Sequence, residues 1–388
     1  MLYARTSVVV GVIFCLGVLG HSNLFSAQGF VPLFDFNVFW SAATLTLQGH
    51  PERAYDVHQL YLVLHEVRHL TVPEGGYGWF YPPFFLMLIS PLGWLPPLLA
   101  YLLFMGLTLW VYLWVIRRVA RDLMPLPGLW WGVLGFSGLW YNLILGQNGF
   151  LTAALGAAVL LTLKRHPLTS GFLLGVLLLK PQLGLLLPLI LLHQRAWRAL
   201  FSAGLTVLGT FALVGMFLGT DVLLAWWQSI DLARAFLERG GDNYLFKIPS
   251  LYACMTLLGA SHPVAYLVQG TSALIVVALV IRLWHLKADR RLRHAAALLG
   301  SLLMSPYVFE YDLTWLIFPL LWLLDYGRER GWYPGERELL ALLWLLPYLM
   351  TLLEPAIHLQ LAPLLLWLSL LLIWRRALSD HRSVLLPI

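Results

Sequence analysis

Asp35 stands just beyond the first hydrophobic stretch of a chain in which charged residues are scarce. An ionisable group in such a place must be solvated or paired, and that makes it a candidate for function. A carboxylate there can take a proton from a substrate hydroxyl. It also precedes an apolar and aromatic segment at 37–47 that stops at Gly49, so it suits a helix N-cap, and one side chain can fill both roles. Lys180 ends the apolar run at 173–179 and is followed by Pro181, where an ammonium can hold a phosphate or snorkel to lipid headgroups. Arg234, Arg239 and Lys247 are further phosphate cations or plain surface charges. Gln147 and Asn148, between Gly146 and Gly149, can bond to a sugar or simply make a polar turn. Glu310 and Asp312 belong to 306–312 (PYVFEYD), where Asp312 also suits an N-cap for the run that follows. The rings of Phe39, Trp40, Trp79 and Tyr81 can shape a pocket or anchor the chain at an interface.

One competing pattern is His65-Glu66-Val67-Arg68-His69, a literal H-E-x-x-H. On a helix its histidines fall one turn apart, as a zinc site requires, with Glu66 as the base. His58 lies two turns from His65 and is too far to complete the set. The residues after His69 lack the Gly-His continuation of one large protease class. A third ligand would have to come from Glu238 or His262, so a coincidental amphipathic loop helix is the plainer reading.

The elements that must position these residues follow from composition. Of 388 residues, 60% are hydrophobic and 11% charged, against roughly a quarter charged in soluble chains. Spans in lipid must satisfy their own backbone, so the chain reads as an all-α polytopic membrane protein with one integral domain over 1–388. Eighteen tryptophans fit interfacial belts. The net charge of +6 comes from short basic clusters between apolar runs, which is a loop pattern and argues against nucleic-acid binding. Cys15 and Cys254 give neither a disulfide framework nor metal spacing. The run at 7–24 lacks a convincing cleavage site and reads as a retained first span.

Apolar runs fall near 7–26, 98–116, 129–145, 149–163, 168–180, 182–193, 199–218, 264–284, 295–308, 313–325, 339–353 and 358–374. The run at 84–95 decides the topology. If it does not cross, the clusters at Arg117/Arg118/Arg121, Lys164/Arg165, Arg195/Arg198, Lys287–Arg293, Arg328–Arg337 and Arg375/Arg376 all face one side, giving about twelve spans with both termini cytoplasmic. Pro82-Pro83 and Pro96-Pro97 predict breaks at its two ends and a re-entrant or juxtamembrane helix between them. The sizeable outer segments are then 27–97 and 219–263. Segment 37–47 suits a helix lying in the membrane interface.

Asp35-Phe36, Val38-Phe39-Trp40, Ala42-Ala43, Leu47, Gly49, Pro51 and Ala54-Tyr55-Asp56 resemble the first outer loop of glycosyltransferase family 87. The resemblance continues through Tyr81-Pro82-Pro83-Phe84, Gly146-Gln147-Asn148, Lys180-Pro181 and Ser305-Pro306-Tyr307. It implies a GT-C fold and transfer of a hexose, such as mannose, from a polyprenyl-phosphate sugar to a lipid or glycan hydroxyl at the outer face of the cell membrane. Asp35 takes the place of the family's catalytic base. The resemblance implies donor and acceptor partners among membrane lipids and brings in no cofactor or metal. Some members carry a histidine near 306–312, and this chain does not. The chemistry needs a base for the acceptor and cations for the departing phosphate, with Lys180, Arg234, Arg239 and Lys247 as the cations. Trp40, Tyr81, Gln147, Asn148, Glu310 and Asp312 are the sugar or acceptor ligands. One carboxylate favours inversion; a double displacement calls for a second, for which Asp56 and Asp312 are available. A transporter or flippase is the alternative, and it predicts ionisable pairs deep within spans rather than at their ends.

Overall fold

The computed structural model describes residues 2–21, 34–68, 78–239 and 241–385, and every regular element among them is helical. Four helices are long and apolar enough to cross a membrane: Pro97–Ala120, Trp197–Phe217, His262–His285 and the 362–381 part of Ala362–Leu385. Their outward faces present Leu102, Leu103, Trp110, Phe201, Leu208 and Leu274, all exposed. Large side chains uncovered in rows along apolar helices match a lipid surround. The other runs form shorter or interrupted helices. That at 129–145 divides into Leu129–Leu134 and Ser137–Leu145. Those at 168–180 and 182–193 become Pro167–Val176, a single tight turn, Pro181–Gly184 and Leu186–His193, with Lys180 at the break.

Arg290–Met304 runs through the middle of the packing, with Leu292 and the whole stretch 294–303 buried. A helix apolar on nearly every face belongs in such a place. Against it lie His262–His285, Ile317–Arg330 and Ala362–Leu385. Gly149–Thr162 lies flat on a tight-turn segment, Glu310–Leu316, because Gly156 leaves room for the Trp315 ring, which a Cβ there would meet at 2.6 Å. The Trp315 indole also donates to Thr152 Oγ1 at 3.1 Å.

The double prolines act as expected. Pro83–Ile89 and the tight turn Ser90–Trp94 sit between Pro82 and Pro96, and Pro97 opens the next long helix. The helix Phe34–Leu47 departs from expectation in two respects. Asp35 lies inside its first turn rather than ahead of it. Residues 36–43 are buried throughout, so the helix is enclosed by protein instead of resting at an interface. Phe39 is the centre of this enclosure, with the rings of Trp79, Tyr81, Phe85 and Phe104 at 5.4–5.7 Å.

Pro97–Ala120 gives the molecule a ruler. At its start the Tyr101 ring meets Phe36 at 5.6 Å, and its last turn carries Arg117 and Arg118, about 24 Å away at 1.5 Å per residue. Near that far end Arg290 reaches Asp122, Arg291 bridges Asp289, Asp325 and Glu329, and Arg328 donates to the Pro125 carbonyl. Several basic clusters that the charge pattern assigned to one side therefore gather together, opposite the end that holds Asp35.

Candidate active site

The Gly146-Gln147-Asn148 turn is forced against the helix Phe34–Leu47. Ser137–Leu145 ends with Gly146 at φ +69°, its N–H bonded to the Asn142 and Leu143 carbonyls. A Cβ at Gly146 would lie 2.6 Å from that of Phe36, so only glycine lets the turn approach so closely. This places Gln147 beside Asp35, and its Nε2 donates to Asp35 Oδ2 at 3.0 Å. Gln147 Oε1 accepts from the Tyr81 hydroxyl at 3.0 Å and from the Asn148 N–H at 3.2 Å. Tyr81 is itself fixed, since its carbonyl accepts from the Tyr55 hydroxyl at 2.8 Å.

These residues edge a cavity of about 530 Å³. At its polar end stand Asp35, Gln147, Lys180, Lys247 and Glu310, with tyrosines 81, 244, 307 and 311. Its apolar side is built partly by Asp221–Arg239, which contributes Trp226, Ile230, Ala233, Phe236 and Leu237. The first three and Leu237 follow helical spacing, so the amphipathic pattern of this outer segment was readable in advance. Sequence reasoning missed it, together with Phe80, Tyr244, Tyr307 and Tyr311.

Burial is the main influence on the two free carboxyl groups. It raises the pKa of Asp35 above the usual carboxylate range, while the Gln147 hydrogen bond and the charges of Lys247 and Lys180 pull it back. Glu310, 8% exposed, is pushed up to about 7 by burial, with Lys247 opposing and Asp35 adding to the rise. Its N–H donates to the Lys247 carbonyl at 2.9 Å, which ties the chain at Lys247 to the 310–316 turn.

Lys180 is neither a snorkelling lysine nor an unpaired phosphate cation. Its ammonium is 2% exposed and bonds both oxygens of fully buried Asp312, at 2.6 and 2.8 Å. It also lies over the Tyr311 ring at 4.4 Å and still lines the cavity. Asp312 stands behind it and accepts from the Phe309 N–H at 3.0 Å, a capping bond at the start of the 310–316 turn. Such a buried pair is of the kind that the transporter alternative predicts deep within spans, but it lies at a helix break beside the cavity.

Other expected ligands lie elsewhere. The Trp40 indole donates to the Leu95 carbonyl at 2.9 Å, outside the cavity. Asn148 is wholly buried away from it, with neither end of its amide partnered. Arg234 turns outward to Glu238 at 2.7 Å, and Arg239 is exposed beyond the cavity. Asp56 is exposed and caps its helix through the N–H groups of His58 and Gln59, so it is not placed as a nucleophile. In the H-E-x-x-H pattern His65 is exposed and stacks on Tyr61; the Glu66 side chain and all of His69 lie outside the described residues. No group of three metal-ligating side chains occurs among the described residues. His262 Nδ1 meets the Tyr252 hydroxyl at 2.8 Å and Glu238 meets Arg234, so both distant ligand candidates are otherwise engaged.

A carboxylate beside an amide, two lysines and an apolar wall suit a substrate that is charged at one end and apolar at the other. No curated protein and no solved structure matches the chain. A family model does match, across residues 79–306, and so includes Tyr81, Gln147, Lys180 and Lys247 but neither the Asp35 loop nor Glu310 and Asp312. The fold gathers these residues at one cavity, with Asp312 behind Lys180, and since the match covers more than half of its length, the chain belongs to glycosyltransferase family 87.

Proposed function

We propose that this glycosyltransferase moves a hexose, mannose in the leading case, from a polyprenyl-phosphate sugar to a lipid- or glycan-linked hydroxyl. Asp35 takes the hydroxyl proton as the oxygen attacks the anomeric carbon. The bond to phosphate breaks, and the phosphate leaves with its electron pair. Its leaving ability removes the need for a strong general acid, so one base and fixed positive charge suffice. The reaction inverts, because Asp35 acts on the acceptor and no carboxylate is required as nucleophile.

The observation that carries this reading is the charge arrangement at the polar end. Asp312 offsets Lys180, and Lys247 makes no ion pair among the described residues. The two lysines less Asp312 thus leave one positive charge to meet a single phosphodiester, beside the ionised Asp35 that balances it before the donor binds, while the apolar wall suits a prenyl chain. Lys180 and Lys247 hold the phosphate, and Tyr81 and Glu310 contact the sugar or acceptor. Arg234 and Arg239, at the outer surface, serve only the donor's approach. The site faces outward, with about twelve spans, both termini cytoplasmic and the run at 84–95 re-entrant, as the basic clusters favour.

The test is transfer from radiolabelled polyprenyl-phosphate mannose in membranes of a host lacking the activity. Wild type and Asp35→Asn are compared at equal expression. Transfer by the wild type should vanish in the variant. Transfer that survives makes Asp35 a structural residue of the first turn, and the base must then be sought elsewhere.

A further inference from the structure

We propose that Gln147 is a positioning residue for Asp35. Its amide holds one carboxylate oxygen and leaves the other for the acceptor hydroxyl. The proposal rests on the reading of Asp35 as the base. It replaces the simpler idea that Gln147 is a sugar ligand.

Hydrogen-bond chemistry fixes which end of the amide faces which neighbour. The Asn148 N–H can only donate, so the Gln147 atom 3.2 Å from it is the carbonyl oxygen. The same oxygen accepts from the Tyr81 hydroxyl. The amino end must therefore face Asp35, where it donates to Oδ2. An ionised carboxylate matches this donor, since it can only accept. Oδ1 has no partner among the described residues, and Asp35 borders the cavity. The Gln147 side chain is 5% exposed, and its amide is already held by three bonds, so little of it is left for a sugar.

The surroundings leave this hydrogen bond with a distinct task. The charged and titratable groups around Asp35 are Lys180, Lys247, Glu310, Tyr81, Tyr244 and Tyr311. Burial favours the protonated carboxyl, and the Gln147 bond is the strongest opposing influence. Removing that donor should both loosen the carboxylate and protonate it at a higher pH.

Two variants separate the possibilities. Gln147→Glu keeps an oxygen for Tyr81 and Asn148 but replaces the donor with a second carboxylate oxygen; Gln147→Met removes all three bonds. The pH dependence of kcat/KM for transfer from polyprenyl-phosphate mannose should show the acid limb moved upward by about one unit or more in both. The donor KM should change less than kcat. An unmoved acid limb with a raised donor KM makes Gln147 a sugar ligand and overturns the proposal.

A second measurement needs no turnover. The infrared carboxyl band of Asp35, isolated as wild type minus Asp35→Asn, is titrated in membranes with and without Gln147→Met. A midpoint raised by Gln147→Met supports the proposal, and an unmoved midpoint overturns it even if neither variant turns over. Failure of the underlying reading is recognised separately: Asp35→Asn then retains transfer, and Gln147 has no base to position.

Discussion

The buried pair of Lys180 and Asp312 permits a test of energetics as well as of function. Its oxygens lie 2.6 and 2.8 Å from the ammonium, with exposures of 2% and 0% for the two side chains. At that separation the attraction is about 6 kcal/mol at an effective dielectric near 20. Desolvation costs several kcal/mol for each ion, so the intact pair is worth little net. Removing one member is different, because an unpaired ion or a reprotonated acid is left in the interior, at about 3–5 kcal/mol. Lys180→Met should therefore destabilise by about that amount. Asp312→Leu should cost about 1 kcal/mol more, since the Phe309 N–H loses its acceptor. The double variant should return to within about 2 kcal/mol of wild type, giving a large coupling in a double-mutant cycle. Equilibrium unfolding in mixed micelles measures all four proteins. Transfer should stay lost in the double variant, whose fold is restored but whose cavity lacks the Lys180 cation. Single variants that lose less than about 1 kcal/mol, or effects that simply add, would refute the reasoning.

Glu310 gives a pH signature. Its folded pKa, about 7, lies above the unfolded value, so the folded state holds more protons and stability falls as pH rises from about 4.5 to 7, by about 3 kcal/mol in all. Glu310→Gln should flatten this stretch of a thermal-midpoint profile and be more stable than wild type at pH 8; equal slopes would remove Glu310 as the source. Gly146→Ala should be destabilising by at least about 1–2 kcal/mol from the left-handed backbone alone, with the clash against Phe36 added. It should also lower transfer by moving Gln147 off Asp35. Unchanged unfolding and transfer together would show that the turn has more room than 2.6 Å implies.

Local chemistry was the legible part of this sequence. Pro82-Pro83 and Pro96-Pro97 announce two breaks because a proline ring cannot continue a helix from its C-terminal side, and the chain breaks at both. Asp35, Gln147, Lys180, Lys247, Glu310 and Tyr81 were all singled out by type and position, and the fold brings them to one cavity. What they do to one another was not legible. Lys180 and Asp312 are 132 residues apart, and only the rule that intramembrane ions need partners hinted at the pairing. Gln147 reads as a sugar ligand until the Gly146 turn is seen against Phe36. Trp40 and Arg234 turn to partners outside the cavity, because residue type does not say which way a side chain on a helix will point.

The wall formed by Asp221–Arg239 divides labour along the chain. Acid, amide and buried ion pair come from the helix Phe34–Leu47, the 146–148 turn, the Lys180 break and the 310–316 turn, with Asp35 held by Gln147 and Lys180 held by Asp312. The apolar wall comes in part from one face of a single helix, Asp221–Arg239, much of whose remaining surface is exposed. Exchanging Ile230, Ala233 or Phe236 for a larger or smaller side chain resizes the cavity without disturbing any group that handles a proton or a charge. Fit and chemistry can therefore drift independently, and a lineage of such proteins can acquire new donor or acceptor partners while its reaction stays unchanged.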